Sequence, residues 1–153
     1  MSAAERLAAL GLALPPVTAP VAAYVPAVRT GAYVYVSGQV PVADGKLVAT
    51  GKVGAEVTAE DAAAMARTCA LNAIAAAASV AGGLDGIRRI VKVVGFVASA
   101  PGFGGQPQVI NGASGLLIEV FGEDGKHARS AIGVAELPLN VPVEVELIAE
   151  VRG

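Results

Sequence analysis

Val143-Glu-Val-Glu-Leu-Ile-Ala-Glu-Val151 alternates in apolar and polar residues, with Ile148 the one exception. Val143, Val145, Leu147, Ala149 and Val151 fall on one side of an extended chain, and Glu144, Glu146, Ile148 and Glu150 on the other. A period of two belongs to a β-strand with one face in the core, because successive side chains point to opposite faces. A helix would mix the two sets, since its period is 3.6. The stretch predicts a strand in a sheet that is covered on its apolar face. The fold then depends on what covers that face.

Working outward, Ala128–Leu137 reads as the preceding strand, joined to Val143 by the Pro138–Pro142 connection. Before it, Val109, Ile110, Leu116, Leu117, Val120 and Phe121 recur at helical spacing. Pro107 suits the first turn of that helix, Gly122 ends it, and Asp124-Gly125 turns the chain. Ile87–Ala98 is a further strand, apolar at both parities through Ile90–Val97, which predicts burial of both its faces. Thr58–Ala81 is the most distinct helix. Thr58 is an N-cap, Glu60 and Asp61 lie in the first turn where the dipole favours anions, and Gly82-Gly83 stops it. Its many alanines predict close approach to a sheet or a second helix. Ala32–Ser37 is a strand closed by Ser37-Gly-Gln39. Asp44-Gly45 marks a hairpin between Val40–Val42 and Lys46–Val48, with Pro41 placing it at an edge or outside the main sheet. The order is strands, helix, strand, helix, two strands. That is an α+β single domain, a mixed sheet with two helices packed on one face.

The chain has 153 residues, enough for one domain with a self-sufficient core. Apolar residues make up 54% and charged residues 16%, which excludes disorder and leaves apolar surface to be buried between subunits. A net charge of −2 argues against gripping a nucleic-acid backbone. One Cys and one His make neither a disulfide nor a metal site alone, and they suit a reducing, cytoplasmic setting. No run of 18 apolar residues suggests a membrane span. Leu7–Leu14 reads as a short amphipathic helix capped by Ser2, with Leu7, Leu10 and Leu14 near helical spacing. Pro15, Pro16 and Pro20 then make Leu14–Val21 extended. We expect residues 1–20 to form an N-terminal extension and 21–153 the domain.

The strand before the alternating one places Arg129, Ala131, Gly133 and Ala135 on one face. Small residues beside a guanidinium leave an open space that suits a carboxylate, which Arg binds with two parallel hydrogen bonds. A surface ion pair accounts equally for Arg129, and a solvated acidic face accounts for Glu144, Glu146 and Glu150 on the last strand. Cys69, within the alanine-rich helix, reads as a small buried hydrophobe. Gly102-Phe-Gly-Gly105 lacks the Lys and spacing of a phosphate loop and reads as a mobile lip. His127, in a polar turn, reads as solvated.

Arg129-Ser-Ala-Ile-Gly-Val-Ala-Glu-Leu-Pro138 with Val143-Glu-Val-Glu146 resembles the C-terminal signature of the RidA (YjgF) imine deaminase family. There an Arg begins one strand, Leu-Pro ends it, and a Glu stands fifteen positions after the Arg, as Glu144 does here. Tyr24, the Gly31 turn and Val36-Ser-Gly-Gln-Val-Pro41 resemble the N-terminal signature, with Tyr24 thirteen positions before Ser37. Val109-Ile-Asn111 is similar to a Val-x-Asn on the family's second helix.

The resemblance implies a chorismate-mutase-like subunit in a homotrimer, sheets lining a central barrel and clefts between subunits. It implies hydrolysis of 2-imino acids and their 2-enamino tautomers to 2-keto acids and ammonia, with no cofactor and no metal. Arg129 matches the residue that clamps the substrate carboxylate. Glu144 matches the one that positions the attacking water and moves protons. Tyr24 matches an aromatic residue closing the cleft from a neighbour, and Gly38 and Asn111 match cleft-lining positions. Near Arg129, Glu144 should stay ionised. Many members carry Cys where this chain has Ala131, which alters pocket shape and removes a thiol the hydrolytic scheme does not need. The long N-terminus and the Ser99–Gln106 loop resemble a longer subgroup. Two other readings remain: a non-catalytic trimer that binds small carboxylates, and endoribonuclease or translation-inhibitor activity. The second is disfavoured by a single His and an acidic chain.

Overall fold

The computed structural model describes residues 1–17, 20 and 22–153. Thr18, Ala19 and Val21, and with them part of the expected extended segment and the boundary set at residue 21, lie outside the described residues.

Five strands form one sheet in the order β1-β2-β7-β5-β6: β1 Ala27–Thr30, β2 Tyr33–Gln39, β5 Ile87–Ala98, β6 Ala128–Val134 and β7 Val143–Val151. Only β5 and β6 run parallel, and helix α3 (Gln106–Phe121) supplies the crossover that a parallel pair needs. The sheet is therefore mixed, and the fold is α+β as read from sequence. Helix α2 (Ala59–Ala81) packs with α3 on one face. Thr58 Oγ1 accepts from Asp61 N at 3.1 Å at the start of α2, and Gly82, at φ 81°, ends it in the left-handed conformation. By length and composition α2 could cross a membrane, but Ala62, Ala66, Ala70, Ala73 and Ala77 are fully buried within this domain. The small side chains bring α2 within backbone contact of α3. A Cβ on Gly112 would stand 2.7 Å from the carbonyl carbon of Ala63.

The alternation of the last strand is realised: its odd-numbered residues are buried and its even-numbered ones half-buried. In β5 the reading needs correction. Ile87, Ile90, Val93 and Val97 are buried under the helices, whereas Val94 and Phe96 are only half-buried. No element of this chain covers that second face among the described residues. Val28, Tyr33, Tyr35 and Ile132 stand exposed on it.

The hairpin of β3 (Val42–Ala43) and β4 (Lys46–Leu47) forms its own two-stranded sheet. Asp44 and Gly45 both have positive φ, at 52° and 76°, as a tight two-residue turn requires. Asn72 of α2 fastens it by donating to Val40 O and Val42 O at 3.1 and 3.0 Å. Strand β1 is an element that the sequence patterning does not single out. It turns into β2 at Gly31, φ 57°. Strand β6 ends at Val134, three residues short of the expected Leu137.

The N-terminal helix α1 spans Ala3–Ala9. Ser2 and Glu5 form a reciprocal capping box, with Ser2 N donating to Glu5 Oε2 at 2.7 Å and Glu5 N to Ser2 Oγ at 3.1 Å. The helix is shorter than read, because Gly11 turns left-handed at φ 72°. Leu7 is buried, Leu10 is exposed and Leu14 lies beyond the helix. Ala4 N donates to Asp85 Oδ1, which ties α1 to the body of the domain.

Candidate active site

Arg129 stands on β6, opposite Val93 of β5, which in turn faces Leu147 of β7. Directly paired residues share a sheet face, so Arg129 lies on the helix-covered side. There it meets a polar stripe of α3. Pro107, Asn111 and Ser114 follow at intervals of four and three, one face of a helix. Arg129 Nη1 donates to Asn111 Oδ1 at 2.8 Å and to Ser114 Oγ at 3.2 Å, and Nη2 reaches Pro107 O at 3.5 Å. A guanidinium has five N–H groups. Both hydrogens of Nη1 and one of Nη2 are taken. Among the described residues, Nε–H has no partner and Nη2 makes only the 3.5 Å contact to Pro107 O, and Nε and Nη2 form one edge of the guanidinium, the geometry that meets a carboxylate.

The space beside Arg129 is narrower than the small residues suggest. Gln106 Nε2 and Ser99 Oγ occupy the room over Gly133, where a Cβ would stand 2.8 and 3.0 Å from them. Gln106 Nε2 donates to Ser99 Oγ and to Phe103 O. Ala131, next but one to Arg129 on β6, is half-buried against the core. The Pro101–Gly105 segment is pinned: Phe103 N donates to Ala100 O at 3.0 Å, and the Phe103 ring lies over Gly54.

His127 is a correction. It is half-buried, with Nε2 2.9 Å from Ser114 Oγ and Nδ1 2.6 Å from Gly125 O. Burial depresses its pKa, the Gly125 hydrogen bond opposes this, and the Arg129 charge lowers it further. Gly125 is wedged under α3, where a Cβ would stand 2.7 Å from the carbonyl carbon of Leu117. That close approach brings the turn back to Ser114.

Glu144 stands elsewhere. Its partner across the ladder is Phe96, which pairs on its other side with Ile132, so Glu144 belongs to the uncovered face. Strand β2 reaches it through a bulge. Val36 faces Leu147 but Gln39 faces Val145, so β2 spends one residue more than β7. The bulge sets Gly38 directly against the Glu144 carboxyl group, with room for a hydrogen and no more: a Cβ would stand 2.8 Å from Glu144 Cδ. Ser37 Oγ donates to Val25 O at 2.6 Å, and Ser37 N to Pro26 O at 2.9 Å. These bonds hold the segment carrying Tyr24 beside Gly38, with the Tyr24 side chain 57% exposed.

The six expected residues thus form two groups, Arg129, Asn111 and Ala131 on the covered side and Glu144, Gly38 and Tyr24 at the open face. Within one subunit Arg129 does not neighbour Glu144. The expectation that Arg129 keeps Glu144 readily ionised fails within this chain. Burial, and then the Glu146 charge, push the Glu144 pKa upward. Sequence reasoning missed Ser114, Gln106 and the part played by His127. The spacing of Asn111 and Ser114 was the available signal, but nothing in sequence told that His127 would fold back onto that helix.

Among the described residues no cluster of three or more His, Cys, Asp or Glu could hold a metal ion. Cys69 is buried, and burial raises its thiol pKa well above the usual value.

Known proteins share this helix-backed mixed sheet. A family model described as "YjgF/chorismate_mutase-like, putative endoribonuclease" matches residues 4–151, so the chain belongs to the YjgF/chorismate-mutase-like family. Protein TCP17 of Trypanosoma cruzi is 44% identical over 150 residues, covering 97% of this chain and 94% of that protein. A crystal structure from Shewanella oneidensis MR-1, described as "a putative endoribonuclease", has 36% identity and a TM-score of 0.94, covering 99% of this chain and all of its own. Escherichia coli TdcF, solved with bound serine, has 27% identity and a TM-score of 0.59, covering 88% of this chain and 92% of its own.

Proposed function

We propose that this protein hydrolyses 2-imino acids and their 2-enamino tautomers to 2-keto acids and ammonia, in clefts that two subunits of a homotrimer complete. The observation that carries the reading is the division of the site. The group able to hold a carboxylate and the group able to activate water lie on opposite faces of one sheet, so a second copy must supply the missing half. The uncovered face, with Val28, Tyr33, Tyr35 and Ile132 exposed, is the apolar surface such an assembly buries. The serine bound to TdcF adds support, as a small molecule with a free carboxylate in a relative.

In this reading the Nε and Nη2 edge of Arg129 holds the substrate carboxylate, and Ala131 leaves room for a short apolar side chain. Glu144 of the neighbouring subunit takes a proton from water as the water oxygen bonds to C2 of the iminium. The resulting carbinolamine takes that proton back on nitrogen. The C–N bond then breaks, the electron pair leaves with ammonia, and the hydroxyl proton passes to Glu144 as the carbonyl forms and from there to the ammonia, which departs as ammonium. No oxidant, reductant or cofactor enters the balance. The imine carbon is already electrophilic, so anchoring and water orientation suffice. Arg129 brought in from a partner would also lower the raised Glu144 pKa. Tyr24 closes the cleft.

The test uses an amino acid oxidase to generate 2-imino acids in place and semicarbazide to trap what remains. The protein should lower the trapped fraction for at least one small, uncharged side chain. Glu144→Gln should abolish that effect while 2-keto acid binding persists. Keto-acid binding without turnover of any imine by the wild type would leave a carboxylate-binding trimer instead.

A further inference from the structure

Ser114 and His127 touch Arg129 or its partners yet belong to no motif that carries the family likeness. Their hydrogen bonds admit one arrangement of protons. The Gly125 carbonyl only accepts, so at 2.6 Å the hydrogen sits on His127 Nδ1. In a neutral ring Nε2 is then an acceptor. Arg129 only donates, so Ser114 Oγ accepts from Nη1 at 3.2 Å and spends its own proton on Nε2 at 2.9 Å. The chain runs Arg129 to Ser114 to His127, and His127 is rooted in the Gly125 carbonyl. Gly125 is itself immobilised under α3, where no side chain would fit. Half-burial keeps the ring neutral, since it lowers the imidazole pKa.

We propose that Ser114 and His127 are positioning residues that fix the guanidinium plane of Arg129, so that its Nε and Nη2 edge is presented to a substrate carboxylate. Asn111 and Ser114 together consume both hydrogens of Nη1, which leaves that edge as the binding fork. Without the serine hydroxyl one Nη1 hydrogen is freed, and the plane is held only by the bond to Asn111 and the long 3.5 Å contact of Nη2 to Pro107 O. Without an acceptor at the imidazole position the hydroxyl is free to rotate, and it no longer offers Arg129 a fixed lone pair. The inference rests on the proposed role of Arg129 as carboxylate anchor.

His127 is the chain's single histidine, so its ring resonances need no assignment. Long-range proton–nitrogen correlation on the 15N-labelled full chain should show the Nδ1–H tautomer at neutral pH; an Nε2–H ring overturns the proposal without any variant. Calorimetry with 2-ketobutyrate supplies the functional arm. Ser114→Ala and His127→Phe should each weaken binding about tenfold, the loss of one well-aligned charge-assisted contact. His127→Gln, which keeps an acceptor for the hydroxyl, should stay within about threefold of wild type. Wild-type affinity in both Ser114→Ala and His127→Phe overturns the proposal. Loss in all three variants alike, glutamine included, overturns the acceptor role of His127. Failure of wild type itself to bind the keto acid instead sinks the Arg129 assignment, a result distinct from any of these.

Discussion

Gly38→Ala separates catalysis from stability in one step. A Cβ at Gly38 would stand 2.8 Å from Glu144 Cδ and 3.2 Å from Cγ, and closer still to Oε1. Carbon atoms rest about 3.5 Å apart at their nearest favourable contact, so the carboxyl carbon must retreat by roughly 0.7 Å and its oxygen by more. Gly38 is not among the positive-φ glycines, so alanine meets no backbone strain. The clash falls on the end of a flexible side chain, and an off-rotamer χ angle costs about 0.5–1.5 kcal/mol. Alanine also narrows the unfolded ensemble, worth about 0.4–1 kcal/mol in the opposite direction. The urea midpoint should therefore barely move. The reaction should suffer far more, because a misplacement of about 1 Å costs on the order of a hundredfold in rate. The semicarbazide competition assay reads the rate, and urea unfolding on the same preparation reads stability. A Gly38→Ala protein that retains wild-type turnover would refute the placement of Glu144 at the reacting centre.

Arg129→Lys keeps the charge and loses the fork, so 2-ketobutyrate affinity should fall at least about tenfold by calorimetry while the unfolding midpoint holds. Glu144 has a raised pKa, so the folded state binds its proton more tightly than the unfolded chain. Stability should fall as pH rises from the ordinary carboxylate range through the raised value, and Glu144→Gln should remove that slope and raise the urea midpoint at neutral pH. The acid limb of the rate profile should lie below that single-chain value, because a guanidinium brought to Glu144 in the completed cleft favours the ionised form the reaction needs. Gly112→Ala presses a methyl group onto the Ala63 carbonyl carbon, where backbone cannot yield; overpacking of about 1–3 kcal/mol should exceed the gain of roughly 1 kcal/mol in helix propensity, giving a lower urea midpoint. Light scattering on wild type should give three times 15.1 kDa, and Ile132→Glu, which puts a charge on the open face, should give smaller species; a monomeric wild type removes the shared cleft.

The sequence alone carried the elements with strong local causes. Val143–Val151 and Ile87–Ala98 match their expected bounds, because hydrophobic period and flanking turns set strand limits. Thr58 and Gly82 fixed α2 for equally local reasons, a side-chain cap and a left-handed stop. Arg129, Asn111, Glu144, Gly38 and Tyr24 were legible as spaced motifs. Their arrangement was not. Whether Arg129 and Glu144 share a sheet face depends on which residues pair across β6, β5 and β7, and register is a tertiary property. The bulge that presses Gly38 on Glu144 arises only when β2 meets β7. Ser114 and His127 lie thirteen residues apart on a helix and beyond a turn, and they meet because a glycine without a side chain lets that turn lie against the helix. Local sequence decides which residues are extended or helical and which face is apolar, since those preferences act over a few bonds. Which polar groups end up within 3 Å of one another is decided by packing, where contacts between distant residues are set all at once.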